Sequence, residues 1–421
     1  MKLTALVKVT LLVAALPITF SACVKDSCKQ LRTYTWYQPV YKTKDEVRAN
    51  IKSNPGKAVS NPGKLYIRGN YIFLNDIDKG IHIIDNSNPS NPRNVAFIDI
   101  PGNLDIAVKG NTLYADLYTD LVTIDITNPL QVVVKKITDG IFPHRYWGGG
   151  YVGPNGNTMV VTDWVRKDTT VTESCVNSGG WWGVRNDVFL ASASSASPGT
   201  NAPSPVGQGG SMARFAIMSE RLYTVGSGDL DVFNISNPVD PVRTANVPIG
   251  WDIETIYPFQ NKLFIGSMSG MYIYNVSNPD APVQTGQFAH VRTCDPVIAD
   301  NNYAYVTLSS GTPCQGFTNE LDVLQLNNLI NPTLVKVYNM KNPKGLSKDG
   351  DYLFICDDGL KVFNASNVQN LQLIKQIKNL ETYDVIAYNK RALVVAKDGL
   401  YQFDYTDINN ITQLSKINVN H

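Results

Sequence analysis

The chain has 421 residues, a formal net charge of +1 and 43% apolar residues. So balanced a charge provides no field to gather nucleic acid, so no nucleic-acid partner is expected. The length fits two average domains or a single closed β architecture.

The chain opens on a targeting segment. Lys2 and Lys8 supply positive charge, and "VTLLVAALPITF" is an apolar run too short for a comfortable membrane span. It ends in "FSAC", small residues directly before Cys23. This resembles the lipobox of bacterial lipoproteins, in which the peptidase cuts before the Cys and the Cys receives lipid; Phe20 departs from the usual Leu. "CVKDS" resembles the short Lys-acidic signal that sends lipoproteins of Bacteroidetes to the outer face of the outer membrane. The resemblance implies a signal peptide at 1–22, lipid on Cys23, and the membrane as a partner through that lipid. It implies an outer-membrane location, surface-exposed or, alternatively, facing the periplasm. An ordinary signal peptide followed by a chance Cys is the competing reading. Residues 23–56 are then the lipid anchor and a polar tether leading irregularly into the fold.

From residue 57 to 421 the chain repeats. "GIHIIDNSNPSNP", "IDITNP", "FNISNPVDP" and "YNVSNPDAP" each place an Asp or Asn after an apolar run and follow it with Ser or Thr, Asn and Pro. Aligned on that position, the anchors are Asp85, Asp125, Asn234, Asn275, Gln325, Asn364 and Asp404, about 40 residues apart except for one long gap. Ala191 in "NDVFLASASSASP" serves as a degenerate anchor inside the gap, making eight units. Each unit reads as four short strands, as in "IETIYPF", "LFIGSMS", "GMYIYNVSN" and "PVQTGQFA". Four antiparallel strands every 40 residues predict an all-β fold, a β-propeller of eight blades, or seven if the degenerate copy builds none. Ser and Asn side chains bond nearby backbone, and Pro ends the ladder, so "SNPSNP" is the turn between strands three and four. The repeated Asp and Asn residues are therefore read as turn locks, not as a metal or catalytic set.

These repeats resemble the LVIVD repeat, found in bacterial surface and secreted β-propellers. The resemblance covers about residues 60–421 and speaks to fold, because propellers host many activities.

Candidate sites follow from departures from the period. Strand two-to-three loops of two blades are long: "WVRKDTTVTESCVNSGGWWGVRN" in the third and "SSGTPCQGFTNE" in the sixth. Cys294, near the start of a first strand, and Cys314, in the second of these loops, share one predicted face. A disulfide between them is reasonable there and matches a pattern recurring in the resembling proteins; two free thiols are the alternative. Cys356 reads as a core residue, and the pairing of Cys28 and Cys175 stays open. Trp147, Trp164, Trp181, Trp182 and Trp251 gather near the same face, as a stacking platform or as a cap on the apolar end. Strand-one starts add Asp105, His144, Arg145, Arg214, Glu254, Asp295 and Asp384 around the channel mouth.

No HExxH, GxSxG, phosphate-binding or paired-Cys motif occurs, and no cofactor or metal is expected. The reading that follows is a lipid-anchored cell-envelope propeller that binds a glycan, peptide or protein through its loop-rich face. A glycoside hydrolase or lyase site at the channel mouth, or a structural subunit of an outer-membrane complex, are the rival readings.

Overall fold

A computed structural model of the chain describes residues 29–142, 151–152, 158–174, 208–226, 228–290, 296–310 and 317–420. Among them are seven four-stranded antiparallel units, at 62–99, 106–138, 215–248, 253–289, 297–339, 346–377 and 382–418. In each, the strands pair in chain order. The first strands of successive units touch one another, and the seventh unit packs back onto the first strand of the first. The fold is a β-propeller of seven blades, with strand one at the axis and strand four at the rim.

The count is that of the seven-blade alternative, in which the degenerate copy builds no blade, and not the eight blades that the repeat count favours. Among the described residues, the next blade strand after Val133–Thr138, the last of blade two, is Phe215–Met218. The described part of the intervening stretch builds something else. Its strand Thr158–Ser174 lies between Lys29–Thr43 and Tyr151–Val152 in a separate three-stranded sheet. A partner from the N-terminus has taken the place of blade neighbours. The insertion thus connects strand four of blade two to strand one of blade three, and is not a strand two-to-three loop. Ala191 lies outside the described residues.

Two compact units result. Residues 29–39 and 164–174 belong to one, and the propeller with its lead-in from Val40 belongs to the other. In the lead-in, Lys44–Ala49 is a short helix capped by Thr43, whose hydroxyl accepts from the Glu46 N–H while Glu46 accepts from the Thr43 N–H. Val47 is buried beneath it, and Arg48 reaches Asp120 of blade two at 2.8 Å. Ser53–Pro55 then pairs with the rim strand of blade one. The segment expected to be an irregular tether is thus ordered from residue 29 onward. Among the described residues no helix is long and apolar enough to cross a membrane.

The blades follow the sequence pattern closely. Central strands such as Lys262–Ser267 lie between neighbouring blades and are buried on both faces, which explains their near-continuous apolar runs. The rim strand Val242–Pro248 is exposed along most of its length. Every blade shifts register between strands three and four just before the anchor residue, a bulge that adds twist.

The turn after strand three has the same chemistry in six of the seven blades. Asp85, Asp125, Asn234, Asn275, Asn364 and Asp404 accept a hydrogen bond from the backbone N–H two residues on, at 2.7–3.0 Å. Asn88, Asn128, Asn278, Asn328, Asn367 and Asp407 repeat the device three residues later. The same turn ties blades together: Tyr114 donates to the Pro238 carbonyl of the next blade at 2.7 Å, and Tyr223 to that of Pro279 at 3.1 Å.

Ring closure joins the two ends of the propeller. Val59 bridges Val419 in parallel, and the Asn420 N–H donates to the Val59 carbonyl at 2.9 Å. The side-chain amides of Asn86 and Gln402 exchange hydrogen bonds at 2.7 and 3.1 Å, linking blades one and seven.

Candidate functional site

The insertion returns to the fold through the axis. Gln208–Gly209 pairs with the inner strand of blade one, Gln208 opposite Ile67 and Gly209 opposite Tyr66. Two residues later Ser211 is fully buried, and its hydroxyl accepts from the Leu346 N–H, at the start of blade six, at 2.8 Å. One short segment therefore spans from blade one to blade six, and the axis is filled.

Four charged residues meet around it. Lys64 donates to Asp105, and both are buried. The same Asp105 carboxylate accepts the Arg214 N–H at 2.7 Å. The Arg214 guanidinium donates to the Glu254 carbonyl at 3.4 Å, so Glu254 contributes backbone here. Asp384 is fully buried, and neither of its oxygens makes a hydrogen bond of good geometry. Burial pushes its carboxyl well above the usual range, although Lys64 and Ser211 favour the charged form. Burial likewise pushes the Lys64 ammonium down, opposed by Asp105. A side chain at Gly345 would place its Cβ 2.0 Å from Asp384 Oδ1, so only glycine fits that approach.

Arg214, Asp105 and Asp384, expected at strand-one starts, are thus brought together, but inside a packed axis and not around an open mouth. Lys64 was not expected there. It sits in "GKLYIRG", where a charge within a strand reads as solvent-facing. Its position within an inner strand, where both faces are buried, is the available signal.

A second polar cluster resembles catalytic chemistry without its geometry. His82 Nε2 lies 3.1 Å from Asp76, and Asn94 Nδ2 lies 3.0 Å from His82 Nδ1. The Ser60 hydroxyl and the N–H groups of Ser60 and Asn61 donate to that aspartate. The hydroxyl bonds the carboxylate and not the imidazole, so the hydroxyl-to-imidazole link of a nucleophilic triad is not made here, and His82 is fully buried. Asp116 and Asp357 likewise accept paired N–H groups before the inner strand, so the pattern belongs to the fold.

The loop-bearing end, where strand two-to-three and blade-to-blade connections emerge, carries exposed aromatics. Trp251, between blades three and four, is 84% exposed. Phe317, in the long loop of blade five, is 99% exposed. Behind that loop Asp322 is buried with one oxygen unpaired. Burial and the neighbouring Glu320 raise its carboxyl to about 6, against the opposing pull of His290. Elsewhere a cavity of about 180 Å³ opens between the lead-in and blade one, lined in part by Lys42, Lys57, Lys79, Asn50, Asp99 and Asp163. Among the described residues no three His, Cys, Asp or Glu side chains converge as a metal site.

The remaining expected site residues distribute as follows. Trp164 is exposed in the separate ribbon unit. Cys356 is free and buried in the core, and burial raises its thiol. Trp147, Trp181, Trp182, His144, Arg145, Asp295, Cys23, Cys28, Cys175, Cys294 and Cys314 lie outside the described residues, so the binding loop, the disulfide and the lipidation site are not described.

Comparison with known proteins agrees on fold. Residues 60–98 and 103–139, which are blades one and two, match the LVIVD repeat. A protein from Lactobacillus plantarum is similar at a TM-score of 0.50 and 12% identity, over 85% of this chain and 97% of that one. Pseudomonas aeruginosa periplasmic gluconolactonase is similar at 0.50 and 10%, over 85% and 96%. No protein of curated function matches the chain. Identities this low speak to architecture alone. The chain is a seven-bladed β-propeller that carries LVIVD repeats.

Proposed function

We propose that the protein is a lipid-anchored component of the cell envelope that binds a glycan, peptide or protein partner at the loop-bearing end of its propeller. The observation that carries this reading is the pair Trp251 and Phe317, large aromatics held almost fully in solvent at that end. Burying such side chains against a partner is favourable, and leaving them exposed gains the fold nothing. The filled axis weighs against the rival reading of a hydrolase or lyase. A channel-mouth site needs room between the inner strands, and residues 208–211 occupy it.

Lipid attachment on Cys23 rests on "FSAC" after the apolar run. Replacing Cys23 with Ala is expected to release the protein from membranes or to block its processing. Unchanged fractionation and migration would sink that part. For binding, residues 24–421 would be screened on a glycan array and against envelope proteins and peptides. The expected result is a ligand whose affinity falls at least tenfold in Trp251→Ala with Phe317→Ala. A ligand bound equally well by that variant would move the site elsewhere.

A further inference from the structure

The ribbon unit presents apolar side chains in a place where a soluble fold has no use for them. Its strands run antiparallel. Thr33 meets Thr170 at 2.9 Å, and Thr35 donates to Asp168 at 2.6 Å. Leu31 and Tyr37 share that face by alternation, 72% and 57% exposed. On the opposite face Trp36 lies across the ribbon, its indole N–H donating to Thr169 at 3.0 Å, and it is 47% exposed. Trp164, on the partner strand, stands by alternation on the first face with Asp168 and Thr170 and is 56% exposed. A narrow ribbon is marginal in water on its own, and an exposed aromatic cluster marks a surface that something covers.

Three features say what covers it. The first is distance along the chain. Lys29 follows Cys23 by six residues, so the ribbon begins within about 20 Å of that Cys even when the link is fully extended. The second is charge. Over 29–39 and 164–174 the sequence has four basic residues (Lys29, Arg32, Arg166, Lys167) and two acidic ones (Asp168, Glu173), a net of +2 that complements an anionic surface. The third is the edge. Lys29–Thr43 is the outer strand of its sheet, but Pro39 removes an N–H from it, which blunts pairing with another chain. Apolar side chains on both faces suit a fluid that surrounds the ribbon better than one flat partner. Trp and Tyr, apolar in body with a polar tip, favour the headgroup zone, where water and headgroups also satisfy the open edge.

We propose that the ribbon is a membrane-contacting element whose aromatic faces settle into the interfacial zone of a lipid bilayer. Its place beside the bilayer rests on the reading of Cys23 as lipidated; its affinity for the bilayer does not. Two weak attachments, lipid and ribbon, would together hold the protein firmly where either alone is marginal.

The test uses residues 24–421, which contain every described element and no lipid. This protein is mixed with phosphatidylcholine vesicles containing phosphatidylglycerol, and binding is read by flotation. Tryptophan quenching by brominated lipid gives a second readout. Wild type is expected to float and to be quenched. Replacing Trp36, Tyr37 and Trp164 together with Ser should lower partitioning at least tenfold and leave thermal unfolding of the propeller unchanged. If the triple variant unfolds early, Tyr37→Glu alone should still lower partitioning severalfold. Wild type that does not float, or variants that float equally well, would overturn the proposal. So would a wild-type dimer that the triple variant dissociates without any change in flotation. The lipid reading fails separately, if the mass of the membrane-extracted full-length product shows Cys23 unmodified.

Discussion

Blade rims and the propeller axis both use carboxylates and amides, but under opposite solvation. At the rim, Asp85 and Asp125 are held down to about 2 by donors that come mainly from the turn itself, the Ser87 N–H for the first and the Thr127 hydroxyl and N–H for the second. At the axis, Asp384 is pushed up because burial outweighs everything near it. The rim devices recur around the ring and each depends on its own few residues. The axial cluster occurs once and depends on a segment that enters from 70 or so residues of inserted chain. Recurrence marks residues that the fold needs; singularity marks the places where this chain departs from the plain propeller.

The difference can be broken most severely at the axis. Lys64→Ala leaves Asp105 buried without its cation, and should cost about 3–5 kcal/mol in urea unfolding, as for other broken buried pairs. A loss below about 1 kcal/mol would mean that water reaches the cluster and the axis is open.

Raised carboxyls predict a pH dependence of definite sign. The Asp322 carboxyl, at about 6, binds its proton in the folded protein after the unfolded chain has lost it. Stability from this group is therefore full below about pH 4 and is lost as pH rises to about 6. Asp322→Asn should match wild type at pH 4 and exceed it by about 2–3 kcal/mol at pH 7. Equal stability of the two proteins across that range would contradict the burial of this acid.

Between these extremes lies blade packing. A Cβ on Gly286 would meet the Leu329 carbonyl of the next blade at 1.7 Å. Gly286→Ala should therefore cost about 1–3 kcal/mol by overpacking, measured as a fall in melting temperature. The smallest effect is at the rim. Asp125→Ala should cost about 1 kcal/mol at pH 7, and the difference should vanish as pH falls below about 2 and the wild-type carboxylate is protonated.

Much of this was legible in the sequence for a physical reason. A turn that favours an Asx side chain followed by a Ser or Thr imprints itself on six of the blades, with Pro completing it in the first four and Gln325 standing in the fifth, and the positions from Asp85 to Asp404 can be counted. The blade number was harder. "NDVFLASASSASP" has residues compatible with strands, but propensity says nothing of a partner, and the strand built nearby pairs with residues about 130 positions away. Such pairing has no period to read. Arg214 and Asp384 are legible from their place at the starts of inner strands, which does bring them to the axis. That they would be sealed there depended on Gln208 and Gly209 adding to blade one, two residues with no strand signal of their own. Phe317 carries no signal in the sequence, because one aromatic in a polar loop is ordinary and only its exposure sets it apart.

The account turns on whether recognition belongs to the exposed aromatics or to the axis. One binding titration decides it, run with a ligand found for residues 24–421 on wild type, on Trp251→Ala with Phe317→Ala, and on Asp384→Asn. The prediction is at least a tenfold loss of affinity in the aromatic variant, whose melting temperature stays at the wild-type value, and no change in Asp384→Asn. Lost binding in Asp384→Asn with wild-type affinity in the aromatic variant would contradict it and return the site to the axis.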